Sequence, residues 1–140
     1  MQFRMRLNKP ISLLLALLWA LFFCRLAYAQ QTPEQKLIGA WEVFKDDDRP
    51  GEKVPEEVMN FWPEGQFTIS KKAPAVTTHE GLFRINGSTL QLLVKKNSQG
   101  FVVKRIYALS ENELRFKNPK NGWVYYKRIS DQPFGVVPEL

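Results

Sequence analysis

Residues 39–129 are a succession of short β-rich runs, each separated from the next by turn-forming residues. The clearest turn is Asn86-Gly87, because a two-residue type I′ hairpin turn needs positive φ at both central positions. After residue 30, no window of ten or more residues shows a 3.6-residue apolar period, and only residues 33–36 are predicted to form one helical turn. The chain is therefore predicted to be all-β.

The pattern predicts eight strands in sequence order. Their predicted bounds are 39–45, 57–62, 66–71, 78–85, 88–94, 101–109, 113–117 and 123–129. Short strands joined by tight turns favour an antiparallel up-and-down meander, and eight of them can close into a β-barrel that leaves no free edge. A two-sheet sandwich is the alternative that the same pattern allows.

The first 29 residues have the features of a signal peptide. Positions 1–9 carry three basic residues and no acidic one, an apolar run follows at 11–24, and "AYA" at 27–29 supplies the small residues that signal peptidase reads. This apolar run is shorter than the roughly 20 residues that a membrane-spanning helix needs. We expect cleavage between Ala29 and Gln30 and a mature protein that is periplasmic or secreted, with no stable membrane span.

Two other interpretations of the leader stay open. Arg25 would help an uncleaved leader to act as an anchor, and Cys24 would be a lipidation site if the residue before it were small, whereas Phe23 is bulky. With cleavage, residues 30–130 are the predicted barrel domain and residues 131–140 an extended C-terminal tail.

Cleavage would also change the charge and the thiol content of the chain. The leader holds four of the 20 Lys and Arg residues, none of the 14 Asp and Glu residues, and the only cysteine. The mature chain would carry 16 basic and 14 acidic residues, a net charge of +2, and its scattered basic pairs disfavour nucleic-acid binding. Without a disulfide, the stability of the mature chain would come from the burial of apolar side chains.

The sequence offers few groups for catalysis or metal binding. His79 is the only histidine and has no cysteine beside it, so we interpret it as structural or solvated. Asp46, Asp47 and Asp48 lack the spacing of a calcium loop and are expected in a solvated loop. Neither a glycine-rich phosphate loop nor a G-x-S-x-G motif occurs. We expect no enzyme activity, no metal and no cofactor.

Alternation along the runs predicts which side chains face the barrel interior. The predicted interior side chains are Trp41, Val43, Phe61, Phe67, Ile69, Phe83, Ile85, Leu90, Leu92, Val103, Tyr107, Leu114, Phe116 and Tyr125. These side chains either fill the whole barrel or pack one end of it and leave the other end open to a ligand. In the second case, polar residues on the same strands would orient the head group of the ligand. The predicted ligand contacts are Asn60, Phe67, Arg84, Gln91, Lys104, Tyr107 and Tyr125.

Gly39-x-Trp41 on the first run, with a basic residue near the end of the last run, resembles the pattern of lipocalins and the wider calycin superfamily. The segments "NFWPEGQF", "GLFRINGSTLQLL" and "YALSENELRF" also resemble small bacterial lipocalin-like domains. The resemblance covers residues 36–130 and implies an eight-stranded barrel. It also implies that Trp41 closes the barrel floor and that Arg128, or else Lys127, packs over its ring.

Two functions are open to such a barrel. The first is an exported binding protein for a small apolar or amphipathic ligand. The alternative is a protein-interaction module, such as an inhibitor, an immunity protein or an accessory protein of an envelope complex, that uses loops 46–55 and 71–78 or the tail. The apolar residues of the tail would either dock to such a partner or lie across the barrel itself.

We expect Trp41→Ala to lower the free energy of unfolding by about 3 to 5 kcal/mol, because truncation of a buried aromatic side chain leaves a cavity. Urea denaturation followed by circular dichroism measures this change. A loss below about 1 kcal/mol would show that Trp41 does not close the barrel floor.

Overall fold

A computed structural model describes residues 14–20, 31–72, 76–96 and 99–139 of the chain. The chain divides into two units, Met1–Thr32 and Pro33–Leu140. In the first unit, residues 14–20 form a helix, α1, and the predicted cleavage site between Ala29 and Gln30 lies outside the described residues. None of the helices within the described ranges has the length and apolar character needed to cross a membrane.

The second unit is a short helix followed by eight strands. Helix α2 spans Pro33–Leu37, where a proline at the first helical position fits the helical φ and has no N–H to leave unpaired. The strands are β1 Gly39–Asp46, β2 Glu57–Phe61, β3 Gln66–Lys71, β4 Val76–Asn86, β5 Thr89–Lys96, β6 Gln99–Leu109, β7 Glu113–Lys117 and β8 Trp123–Ser130. Every bound lies within two residues of the predicted one.

All eight strands belong to one closed sheet. Each strand pairs with the next in sequence, and β8 pairs antiparallel with β1 to close the barrel. The predicted all-β, up-and-down barrel is confirmed, and the sandwich alternative is wrong because a single sheet closes on itself. We call the end where β1 begins the floor, and the opposite end, where β1 ends and β2 begins, the mouth.

The floor is closed by one tryptophan and one arginine. The Trp41 side chain is fully buried, and its indole N–H donates to the carbonyl of Leu37 at the end of α2 (2.8 Å). The guanidinium carbon of Arg128 lies 4.2 Å from the centroid of that ring, within the range of a cation–π interaction. Lys127 instead points outward and pairs with Glu42 at 3.3 Å.

Arg128 also satisfies backbone groups at the floor. Its Nη1 donates to the carbonyl of Ile38 (2.8 Å) and its Nε to that of Glu111 (2.8 Å), while Nη2 donates to the carbonyl of Lys36. The carbonyls near a helix C-terminus have no partner within the helix, so a cation that binds them stabilises that end. Arg128 therefore joins α2, the start of β1 and the turn before β7.

Gly39 makes this close packing possible. Its φ is +130°, a conformation that residues with a side chain rarely adopt. A Cβ at this position would lie 2.5 Å from the carbonyl oxygen of Ser130 and 2.9 Å from Nη1 of Arg128. The Gly-x-Trp pattern thus has a steric cause, because the glycine lets β1 approach the last strand where the arginine crosses it.

The barrel core contains most of the side chains predicted to face inward. The buried core cluster consists of Leu37, Trp41, Met59, Phe61, Phe67, Leu90, Leu92, Val94, Leu114 and Phe116. Partly buried apolar side chains packed against this cluster are Ile69, Phe83, Ile85, Val103, Tyr107, Leu109 and Tyr126.

Tyr125 is the exception, and the prediction that it faces inward is wrong. The inward tyrosine of β8 is Tyr126, whose ring packs edge-on against Phe116 with centroids 5.4 Å apart. Tyr125 lies outside, where the Lys45 ammonium is 4.4 Å from its ring centroid. The cause is alternation along β8: Tyr126 and Arg128 share the inner face, so Tyr125 lies on the outer face.

We expect Gly39→Ala to lower the free energy of unfolding by about 2 to 4 kcal/mol, because the added methyl group meets both backbone strain and two close atoms. Gly51→Ala is the matched control, since Gly51 also has positive φ (+78°) but nothing lies within 4 Å of its Cβ position. Urea denaturation compares the two variants. Equal losses would contradict the steric role of Gly39.

Candidate functional site

A small cavity lies inside the barrel toward the mouth. Its volume is about 130 Å³, and its lining residues are Met59, Leu92, Val103, Arg105, Phe116, Asn118, Val124 and Tyr126. Apolar walls with a few polar groups are the usual composition of a small-molecule site, but drug-sized ligands occupy pockets of about 300 to 1,000 Å³. This mouth cavity therefore fits a small ligand, or the apolar end of a longer one.

The strand register brings Arg105 to the mouth cavity. Arg105 lies opposite Leu90 and Val103 lies opposite Leu92 in the β5–β6 pairing, and both leucines are buried in the core. Residues directly opposite each other share a face of the sheet, so Arg105 faces inward. Its Nη1 donates to the carbonyl of Lys104 (3.2 Å), and none of the described carboxylates lies within ion-pair distance of it.

Tyr126 brings a hydroxyl group to the same cavity. Burial raises the pKa of the Tyr126 hydroxyl, so that it remains protonated at neutral pH and can donate a hydrogen bond. Asn118 lies at the mouth, where its Nδ2 donates to Oδ1 of Asp46 (3.1 Å). The cavity thus presents a cation and a phenol beside apolar walls, which suits an amphipathic ligand with an acceptor group.

At the mouth, Asp46 links the loop that follows β1 to the turn that follows β7. Its carboxylate accepts hydrogen bonds from the backbone N–H of Asp48 (3.0 Å), from Nε of Arg49 (2.8 Å) and from Asn118. It is the last residue of β1 and is buried, which corrects the expectation of a solvated loop. Asp47 is more exposed, and a hydrogen bond from Lys45 lowers the pKa of its carboxyl group.

His79 and the acidic residues form no metal site in the part of the chain that the structure describes. Groups of three or more His, Cys, Asp or Glu side chains placed to hold a metal ion do not occur there. The His79 side chain is exposed on β4, with Nδ1 3.2 Å from the hydroxyl oxygen of Thr78.

Two of the predicted ligand contacts face the interior, but neither lines the mouth cavity. Phe67 is fully buried, with its ring centroid 6.4 Å from that of Phe61, and belongs to the packed core. Tyr107 lies near the floor, where its hydroxyl donates to the carbonyl of Gly87 (3.4 Å). The core near the floor is thus filled by side chains.

The other five predicted contacts lie on the outer face of the barrel. They are Asn60, Arg84, Gln91, Lys104 and Tyr125. Each follows or precedes an inward residue, and successive residues of a strand face opposite sides, so these five side chains do not point into the barrel interior. Their role as ligand contacts stays a prediction. The same alternation in Val103, Arg105 and Tyr107 was the signal that pointed to Arg105, the inward arginine that the sequence prediction missed.

Two of these outward residues line a second depression, which we call the outer groove. Its volume is about 440 Å³, and its lining residues are Glu64, Gly65, Leu82, Phe83, Arg84, Gln91, Leu93 and Val102. Arg84 and Gln91 are directly opposite each other on β4 and β5, and Nε of Arg84 donates to Oε1 of Gln91 (2.7 Å).

The C-terminal tail lies across the outside of its own barrel. The backbone N–H of Phe134 donates to Oδ1 of Asn60 on β2 (2.8 Å), and Nζ of Lys95 on β5 donates to the carbonyl of Glu139 (3.3 Å). Of the two alternatives for the tail, the structure thus shows contact with the barrel. Asn60 is buried although it faces outward, because the tail covers it.

No protein-family model and no curated protein matches the chain. Among solved structures, a lipocalin-like protein from Bacteroides uniformis superposes with a TM-score of 0.55 and 18% sequence identity, over 67% of this chain and 99% of that chain. The chain has a lipocalin-like fold. At this identity the likeness concerns the fold alone, and it confirms the resemblance to small bacterial lipocalin-like domains at that level.

The two ends of this lipocalin-like barrel are built differently. The floor is closed by Trp41, Arg128 and α2, whereas the mouth contains the cavity and the hydrogen bonds of Asp46. A ligand that enters the barrel interior would therefore approach from the mouth.

We expect Asp46→Ala to lower the free energy of unfolding by about 1 to 3 kcal/mol, because three donors at the mouth lose their acceptor. Asp47→Ala is the matched control and should cause a clearly smaller loss, since exposed ion pairs stabilise little. Urea denaturation measures both variants. Equal effects would contradict the role assigned to Asp46.

Proposed function

We propose that this protein is an exported lipocalin-like binding protein for a small amphipathic molecule whose apolar end enters the mouth cavity. The observation that carries the proposal is the Arg105 guanidinium, which lies beside apolar walls with no carboxylate partner among the described residues. The Arg105 side chain is partly buried, so an anionic or acceptor group of a ligand would meet a cation for which no described carboxylate competes.

The lining of the cavity limits the ligand. Met59, Leu92 and Phe116 would contact its apolar end, while Arg105 and the protonated Tyr126 hydroxyl would donate hydrogen bonds to its polar group. At about 30 Å³ for a water-sized group, 130 Å³ accommodates roughly four such groups. The ligand is therefore short, or a longer molecule that inserts only its end.

The proposed activity is binding without catalysis. The lining of the mouth cavity includes no serine, cysteine or histidine that could form a nucleophile–base pair. Export is part of the proposal and rests on the leader at residues 1–29, so that the protein would act in the periplasm or outside the cell. The proposed function requires neither a cofactor nor nucleic acid.

A specific observation also favours a second candidate function, a protein-interaction module of the cell envelope. Phe134, Val136 and Val137 are exposed although the tail that carries them is bound to the barrel at both ends. Apolar side chains presented outward on a held segment are typical of a docking surface for another protein.

Native mass spectrometry of the protein purified from its own envelope, with extraction of small molecules from the same sample, tests the first function. We expect a mature chain that begins at Gln30 and a co-purifying small molecule that is lost in Arg105→Met. The control is Arg115→Met, which removes an arginine from the outer face of β7, where it lies 5.6 Å from the Trp123 ring centroid.

Retention of the molecule by Arg105→Met, or a chain free of small molecules in every preparation, would contradict the proposed site. A stoichiometric protein partner in place of a small molecule would favour the interaction module. Circular dichroism of both variants shows whether a loss of the molecule is caused by unfolding.

A further inference from the structure

Three exposed apolar side chains form a continuous row on the outside of the barrel. Leu82 lies opposite Leu93, and Leu93 lies opposite Val102, so that the row crosses β4, β5 and β6. Their exposed fractions are 41%, 44% and 56%. Single exposed apolar residues are ordinary, but neighbouring ones that form a surface mark a binding site.

A row of polar side chains runs beside the apolar row. Arg84 lies opposite Gln91, and Gln91 lies opposite Lys104, on the same outer face and two residues away from the apolar row on each strand. Gln91 accepts a hydrogen bond from Nε of Arg84 at 2.7 Å, which fixes the plane of the guanidinium. Within the described ranges, no carboxylate pairs with Arg84 and no bond engages its two terminal amino groups.

The turn between β2 and β3 forms a wall beside these rows. The carbonyl of Gly65 accepts a hydrogen bond from the backbone N–H of Phe83 (2.7 Å), which holds this turn against β4. Glu64 and Gly65 line the resulting outer groove. Its volume of about 440 Å³ lies within the range of small-molecule sites, about 300 to 1,000 Å³, whereas the mouth cavity is smaller.

We propose that the outer groove binds a small amphipathic anion. Its apolar chain lies on Leu82, Leu93 and Val102, and its carboxylate or other planar anionic group takes two hydrogen bonds from the terminal amino groups of Arg84. The outer groove shares no lining residue with the mouth cavity, so this second site goes beyond the proposed function.

The charges around the groove orient such a ligand. Arg84 and Lys104 flank the apolar row on one side, and Glu64 lies in the wall. An anionic group is attracted to Arg84 and repelled by Glu64, so it binds at the polar row while its chain extends along the apolar row. A ligand with a cationic group would instead contact Glu64.

Titration of the full mature chain with monomeric decanoate, followed by ¹H–¹⁵N chemical shifts, tests this proposal. We expect saturable binding with shifts centred on residues 82–84, 91, 93 and 102. Arg84→Met should weaken binding by about tenfold or more, because hydrogen bonds to a charged group are lost. Arg84→Lys should bind with intermediate affinity, since one ammonium cannot form the paired contact.

Two control variants distinguish the outer groove from the mouth cavity and an anionic ligand from a cationic one. Arg105→Met should leave the chemical-shift changes that decanoate causes at the outer groove unchanged. A negative result for the mouth cavity therefore does not contradict binding in the outer groove, and the reverse also holds. Glu64→Gln should tighten the binding of decanoate, because a repelling charge is removed. Weaker binding in Glu64→Gln would overturn the assignment of an anionic ligand.

Three other outcomes would overturn the proposal. The first is the absence of saturable binding of monomeric decanoate at millimolar concentration. The second is a set of shifts confined to the mouth cavity, at residues 103, 105 and 126. The third is binding to vesicles that contain anionic phospholipid without binding of monomeric decanoate, which would identify this face as a membrane-contact surface.

Discussion

The contact between the Arg128 guanidinium and the Trp41 ring determines how this barrel closes. An up-and-down barrel closes only where its last strand meets its first, and these two residues are directly opposite each other in the β1–β8 pairing. The same guanidinium binds the carbonyl groups of Ile38 and Glu111, so the start of β1 and the turn before β7 are held at one point. Gly39 allows this approach because it has no side chain.

The geometry of the floor also determines what lies at the mouth. Because Arg128 faces inward, alternation along β8 places Tyr126 and Val124 inward as well, and both line the mouth cavity. The side chains that face inward at the mouth thus belong to strands whose inner and outer faces are already set at the floor.

The strands were predictable from sequence because their signals are local. Asn86-Gly87 and the other turn residues mark where strands end, and the alternation between them is strong enough to place each bound within two residues. The floor was predictable because the glycine, tryptophan and arginine form a recognisable pattern. Residues far apart in sequence signal this contact only through such a resemblance.

The candidate sites were harder to predict, for physical reasons that differ from residue to residue. The inward assignment of Tyr125 is wrong because Tyr125 lies three residues from Arg128, so the two side chains cannot share a face of β8. Arg105 was missed because a charged residue is not expected inside a barrel. Asn60 is buried by the tail, whose path depends on tertiary contacts. Strict alternation would have placed Arg84 and Gln91 outside, where they line the outer groove.

A double-mutant cycle on the floor contact tests most directly whether the arginine and the tryptophan close the barrel together. It compares the free energies of unfolding of Trp41→Leu, Arg128→Met and the double variant with that of the unaltered chain. We expect a coupling energy of about 1 kcal/mol or more, since the ring and the guanidinium are in contact and partly shielded from water. A coupling energy near zero would show that the two residues stabilise the barrel independently, and would contradict their joint role in closing it.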